Sequence, residues 1–303
     1  MRRKSAILRA FAVLSILACD GSAQSEPSAG APAQVLPATG ETIAIPKTVV
    51  VGYTPHLEAM DAEYRRFAEY LGGQLGIPTS LRVSESYEDL IHGFKREEIH
   101  LAFLSPLSYV DAERVAPHVR LLATEIANGA DTYTGYIVTR LGSEVTDIAA
   151  LRGKRFGFVS PRSTSGFLFP SDFLRKQGIE PTQDFKSVVF LGNHSRVVDA
   201  LLAGEIDAGA ISSTAYTTSS PSELEVLAKT AVIPGGAVAA DGRLPAQLLE
   251  KLLLAVLSVS TQTEAGKRVL GSRARINGYI AADASAYDVI RSMRATVRAP
   301  AKR

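Results

Sequence analysis

Among its 303 residues the chain has no tryptophan and only one cysteine. A lone cysteine cannot form a disulfide within the chain, so packing alone must hold the folded part. Long apolar runs are missing as well. The stretch from Ala10 to Ala18 is far shorter than the roughly 20 residues that a bilayer span requires, and no later segment reaches that length. The five histidines, His56, His92, His100, His118 and His194, are scattered without paired spacing, so no metal site is expected, nor any other cofactor. There is no Gly-x-x-x-x-Gly-Lys phosphate loop for nucleotide hydrolysis and no Gly-x-Ser-x-Gly elbow for ester hydrolysis. Ser163 or Ser165 with His194 is the one pair that resembles a nucleophile and base, and no acid is evident to orient the histidine. The chain is therefore expected not to be an enzyme. An excess of one charge is absent too. Residues 1–18 hold four of the 33 basic residues and none of the 31 acidic ones, leaving 29 basic against 31 acidic residues, a net charge of −2. This excludes a global electrostatic attraction to nucleic acid or an anionic membrane. An anion site has to come from local geometry.

Arg2, Arg3, Lys4 and Arg9 accompany the apolar run, the pattern of a secretory signal over residues 1–18. Cys19 follows Ile16-Leu17-Ala18 directly, which resembles the lipobox of bacterial lipoproteins. Two alternatives stand. Cys19 is acylated and becomes the mature N-terminus, or a conventional signal is cut after Gly21-Ser22-Ala23. On the first reading the protein is a periplasmic lipoprotein, and Asp20 resembles the signal that retains such proteins on the inner membrane; the lipid is then its only membrane contact. Residues 19–46 are rich in Ala, Gly, Ser and Pro without periodicity, the composition of a flexible tether with a root-mean-square span of about 30 Å.

From residue 47 strand-like and helix-like stretches alternate. Thr48 to Tyr53, Thr79 to Val83, Ile99 to Leu104 and Val119 to Thr124 read as strands, and the stretches from Glu58 to Leu75, Tyr87 to Lys95 and onward from Pro106 read as helices. A second set follows: strands at Gly135 to Thr139, Arg155 to Val159, Ser187 to Leu191 and Ile206 to Ile211, with helices ending at Gly178 and spanning Ser195 to Ala203. Beyond Ile233-Pro234-Gly235-Gly236 the chain is expected to be mainly helical, over Pro245 to Val259, Glu264 to Leu270 and Asp283 to Arg294. The fold class is α/β, two lobes each with a mostly parallel sheet flanked by helices. Residues 47–137 form the first part of lobe 1, 138–234 lobe 2, and 235–303 the return to lobe 1 with C-terminal helices. Crossings near 134–140 and 230–238 make a two-strand hinge, with ligand in the cleft.

The most informative segment runs from Lys154 to Pro170. Proline is tolerated in the first turn of a helix, so Pro170 places a helix start close to Gly166. Ser163, Thr164, Ser165 and Gly166 then gather hydroxyls and unpaired amides at a helix N-terminus, a natural anion site. An ordinary N-cap also selects Ser and Thr, but a cap requires only one hydroxyl. His194, after Gly192-Asn193, falls on the carboxyl edge of the second lobe where ligands of α/β sheets bind; a cap or a buried polar group is the alternative. Tyr87 and Tyr133 stand at element starts, either as donors into a cleft or as core.

These pieces resemble the phosphate/phosphite/phosphonate-binding proteins of ABC importers, of the type 2 periplasmic-binding superfamily. The resemblance rests on Ser86 to Gly93, Ser105-Pro106-Leu107-Ser108-Tyr109-Val110, Tyr133-Thr134-Gly135-Tyr136, the Ser163 to Gly166 turn with Pro170, Gly192-Asn193-His194, and Gly204-Glu205-Ile206-Asp207-Ala208-Gly209. It implies that Ser163, Thr164, Ser165 and His194 contact an oxyanion and that Tyr87 and Tyr133 close over it from the other lobe. It also implies a monomer that delivers its ligand to permease subunits; a receptor for a sensor partner and a sulfonate binder are the alternatives. Asp207 is structural on this reading. Aminophosphonate-binding members carry carboxylates at positions that correspond here to Thr214 and Gly236. Burying an ammonium without counter-charges costs several kcal/mol, and Glu223 or Asp241 could compensate only from rearranged loops. The expected cargo is therefore phosphite, phosphate or a simple alkylphosphonate.

Overall fold

The computed structural model describes residues 41–55, 61–218, 221–271 and 275–297. The signal, Cys19 and the tether up to residue 40 lie outside the described residues, as do residues 56–60, where the first helix was expected to begin; residues 41–46 form no regular element.

The first set comprises β1 (Val49–Tyr53), α1 (Asp61–Leu75), β2 (Thr79–Val83), α2 (Tyr87–Lys95), β3 (Leu101–Leu104), α3 (Pro106–Val115) and β4 (Val119–Ala127). Helix α1 buries Tyr64, Phe67, Ala68, Leu71 and Leu75, the single stripe that a three-to-four spacing produces. Ser86 caps α2 by accepting the Asp89 amide, and Ser105 caps α3 by accepting that of Ser108, with Pro106 in the first turn. The second set is β5 (Thr132–Arg140), β6 (Arg155–Phe158), α4 (Phe169–Lys176), α5 (Pro181–Asp184), β7 (Ser187–Phe190), α6 (His194–Leu202), β8 (Ala208–Ser212), α7 (Ser213–Thr218) and β9 (Leu224–Pro234). The return contains β10 (Ala237–Asp241), α8 (Ala246–Ser258), α9 (Glu264–Leu270), β11 (Ile276–Ala281) and α10 (Asp288–Thr296).

Two sheets result, ordered β11-β4-β10-β3-β1-β2 and β7-β6-β8-β5-β9. In the first, β1 pairs in parallel with β2 and β3, while β10 runs antiparallel between β3 and β4 and β11 lies antiparallel at the edge. The return contains the three helices the sequence suggests, and it also supplies two strands that the sequence does not reveal. Ala-Val-Ala-Ala-Asp in β10 is buried throughout, so it shows neither the alternation nor the β-branched density that marks a strand. In the second sheet β6 pairs in parallel with β7 and β8, and β5 is antiparallel to β8 and β9.

Both faces of each sheet are covered. Leu101 and Phe103 of β3 join one apolar cluster with α1 and α8, whereas Ala102 and Leu104 join another with α2, α3 and α10. The chain crosses between the sheets at residues 128–131 and 235–236, the first of these ahead of the expected 134–140 because β5 already begins at Thr132. The crossings lie side by side: the Gly235 amide donates to the Asp131 carbonyl at 2.7 Å and the Glu125 amide to the Gly236 carbonyl at 2.8 Å. A Cβ on Gly235 would stand 2.4 Å from the Glu125 carbonyl oxygen, so only glycine fits there. No helix among the described residues is long and apolar enough to cross a membrane.

Candidate functional site

The segment between β6 and α4 does not begin as a regular helix at Gly166. Ser163 caps a π-helical turn over Thr164–Leu168, in which the Leu168 amide donates to the Ser163 carbonyl at 3.0 Å, and α4 continues from Phe169 with Pro170 in its first turn. The wider i to i+5 turn leaves the leading amides without helical acceptors. Ser163 Oγ takes up one of them, accepting from Gly166 N–H at 3.0 Å. A Cβ on Gly166 would lie 2.4 Å from Val159 Cγ2 and 2.8 Å from Ser163 Oγ. Glycine is required there to pack the turn onto the end of β6.

A cavity of about 100 Å³ lies between the two sheets, and Ser163, Ser165, His194, Tyr87 and Tyr133 all line it. Five of the seven residues expected at the site are therefore brought together. Thr164 and Gly166 are not among the lining residues. The Thr164 hydroxyl instead accepts the Leu107 amide of α3 at 2.9 Å, which ties the turn to the first sheet's helices. Nearby, Ser105 Oγ and Ser108 Oγ donate to the Arg162 carbonyl at 3.3 and 3.4 Å. Arg162 Nη1 reaches the buried Asp111 at 2.7 Å, and Arg294 Nε pairs with the same carboxylate at 3.1 Å.

Tyr87, at the start of α2, hydrogen-bonds with Ser163, and Tyr133 hydrogen-bonds with Ser165 and Thr164. Burial raises the pKa of both phenols, so each remains a protonated donor at neutral pH. Tyr133 was expected to close from the opposite lobe; it belongs to β5 and hence to the same sheet as the turn. Only Tyr87 crosses from the first sheet. His194 stands in the first turn of α6, which Asn193 caps. Its Nδ1 accepts the Ser212 amide at 3.2 Å, so the neutral ring carries its proton on Nε2. An amide fills the place that a triad carboxylate would take, which leaves His194 a hydrogen-bonding group rather than a general base.

Thr214 and Gly236 line the same cavity, but Glu223 and Asp241 do not. Glu223 is exposed, and Asp241 is held by Arg243 at 2.7 Å. Asp207 receives Arg155 through its backbone amide and its guanidinium, a clamp that fixes the start of β6. Two charged lining residues were not foreseen, Glu125 near the end of β4 and Arg275 ahead of β11. Glu125 lies one residue beyond the expected strand end at Thr124, in a segment with no motif. Burial pushes its carboxyl up to about 7, with Glu63 raising it further and Arg275 opposing.

Three comparisons accompany this geometry. The sequence profile described as "ABC transporter, phosphonate, periplasmic substrate-binding protein" matches residues 51–287, well over half of the chain. A phosphate-import protein of Mycolicibacterium smegmatis is 26% identical over 225 residues, 68% of this chain and 70% of that protein. A protein of Prochlorococcus marinus named "Probable ABC transporter phosphite binding protein PhnD1" is 27% identical over 176 residues, 55% of this chain and 58% of its own length. The solved structure of that organism's PhnD1 in complex with methylphosphonate shares the fold, with a TM-score of 0.74, 24% identity and coverage of 82% of this chain and 97% of that one.

Proposed function

The chain belongs to the family of periplasmic substrate-binding proteins of phosphonate ABC transporters, and we propose that within it this protein captures a small phosphorus oxyanion at the Ser163 to Gly166 turn and delivers it to a permease. The family places it outside the cytoplasm and makes it a binding protein, not an enzyme. The oxyanion class comprises phosphite, phosphate and alkylphosphonates. Family relatives named for phosphate import and phosphite binding support it.

The observation that carries the reading is the convergence of Ser163, Ser165, Tyr87, Tyr133 and His194 on one cavity. These are neutral donors, as an anion site in a chain without excess basic charge demands. Buried away from water, each hydrogen bond to an anionic oxygen is stronger than its solution counterpart. In the proposed cycle the second lobe binds first, and closure about the crossings at 128–131 and 235–236 brings Tyr87 over the ligand. The protein acts as a monomer, held near the inner membrane by acylated Cys19.

A thermal-shift panel with phosphite, phosphate, methylphosphonate and ethanesulfonate tests this. A ligand at 100 times its Kd adds about 2.7 kcal/mol of stability, and at least one phosphorus anion is expected to do so. A shift with the sulfonate alone, or with none of the four while an aminoalkylphosphonate is silent too, overturns the reading. Co-purification with permease subunits rather than a sensor kinase tests delivery.

A further inference from the structure

Outside the cavity, a second set of contacts joins the cradle turn to the first sheet's helices. Asp111 of α3 is 1% exposed, and its carboxylate holds two guanidinium groups. Arg162 Nη1 lies 2.7 Å from its Oδ2, and Arg294 Nε lies 3.1 Å from its Oδ1. The two arginines differ in origin. Helices α3 and α10 pack together on the first sheet, so the Arg294 pair lies within one lobe. Arg162 comes from the other lobe, where it follows β6 and immediately precedes Ser163. Its main chain is held as well: the carbonyl accepts the hydroxyls of Ser105 and Ser108, and the amide donates to Ser160 Oγ at 3.2 Å. Other charges nearby are looser or already paired. The exposed Glu88 of α2 stands 3.5 Å from Arg162 Nη2, the exposed Arg114 is 3.9 Å from Asp111, and Arg291 is closed onto Glu113 and Asp288. Asp111, Arg162 and Arg294 are not among the residues that line the cavity.

We propose that Asp111 is a positioning residue for ligand capture: acting through Arg162, it fixes the residue ahead of Ser163 while the lobes are closed, and so sets how long the captured anion stays. This rests on the proposed capture at Ser163 and Ser165. The contact occurs together with the Tyr87 to Ser163 hydrogen bond, which also crosses from one sheet to the other. Arg294 keeps Asp111 aimed in the open and closed forms alike, because α3 and α10 move as one. Arg162 joins only on closure. Drawing it off again breaks a buried ion pair and leaves Asp111 with one partner where it had two, a costly step. That cost falls on opening. Asp111 already paired with Arg294 exerts little pull on Arg162 across open water, whereas the contact once made is buried, so its loss is felt in dissociation rather than association. An ion pair needed only to hold α10 onto α3 would be complete with Arg294 alone.

Stopped-flow tyrosine fluorescence of the mature protein and of Asp111→Asn, Arg162→Met and the double variant, with phosphite, phosphate and methylphosphonate as probes, tests the inference. With no tryptophan in the chain, Tyr87 and Tyr133 in the cavity report occupancy. Each single variant is expected to release a bound probe about ten-fold faster or more, while the association rate changes by less than about two-fold. The double variant loses no more than either single one, because the two residues act as one contact. Arg162→Lys, which keeps the charge without the planar fork, restores part of the slow release. Should Asp111→Asn fail to fold, Arg162→Met, at a partly exposed side chain, gives the same readout. Unchanged release rates in folded variants, losses that add in the double variant, or an effect confined to Tm overturn the role of Asp111 and leave oxyanion capture standing. If none of the three probes binds the wild type, the capture reading falls and the positioning role falls with it.

Discussion

The second-sheet wall of the cavity takes Ser163 and Ser165 from one turn and adds His194 and Tyr133 from the same sheet, whereas the first-sheet wall is assembled from Tyr64 of α1, Tyr87 of α2, Glu125 of β4 and Arg275 ahead of β11. The second-sheet wall consists of neutral donors fixed by local hydrogen bonds, such as Gly166 N–H to Ser163 Oγ. The other carries charge, and its members owe their proximity to strand order. A site built from one turn changes as a unit, and substitution there affects every ligand. A wall built from separate elements can change one residue at a time, which suits discrimination between ligands that share an oxyanion.

The sharpest way to break this contrast is Gly166→Ala. The added methyl would lie 2.4 Å from Val159 Cγ2, and overpacking of this kind costs about 1 to 3 kcal/mol. Urea unfolding is expected to show that loss, with weaker binding of all phosphorus anions; wild-type stability and affinity together would mean that the turn is not the rigid unit described. Next in size is Thr164→Val, which removes the acceptor of the buried Leu107 amide at a cost of roughly 1 to 3 kcal/mol. Calorimetry should find methylphosphonate and 2-aminoethylphosphonate weakened by the same factor, since the lost bond joins protein to protein. Unequal factors would place Thr164 on the ligand instead.

The smallest effect concerns the opposite wall without ligand. The Glu125 carboxyl is raised from 4.5 to about 7 by burial, so the folded state binds its proton more tightly than the unfolded state. Stability from this group is present below pH 4.5 and is lost as pH rises through 7. Glu125→Gln removes the titration. Relative to wild type, the variant should be the more stable at pH 8, with a higher Tm, and gain much less at pH 5. A gain that is the same at both pH values would show that the carboxylate is not the cause.

The same contrast explains what was legible in the sequence. The strands and helices of residues 79–115 follow from periodicity and caps nearly to the residue, because Ser86, Ser105 and Pro106 mark their own element starts. The turn at 163–166 was legible because three hydroxyls and a glycine are contiguous. The partner of Thr164 was not, because the Leu107 amide is 57 positions away and a backbone donor leaves no sequence mark. Glu125 was hidden for a related reason. Its significance arises only when β10 inserts between β3 and β4 and carries Gly236 alongside, and β10, uniformly small and buried, lacks the alternation that would reveal it. Tyr133 was assigned to the wrong wall because the first crossing comes a few residues earlier than the Tyr133-Thr134-Gly135-Tyr136 motif suggests.

The Leu107 to Thr164 bond and the Arg162 to Asp111 pair attach α3 to the two ends of the short segment that also presents Ser163 and Ser165. On the proposed capture at Ser163 and Ser165, cargo and opposite lobe would pull on the same few residues from different sides. Drawing α3 away would then load the cradle through Thr164 and Arg162 without any contact with the cargo, and unloading would become a matter of leverage applied at the surface.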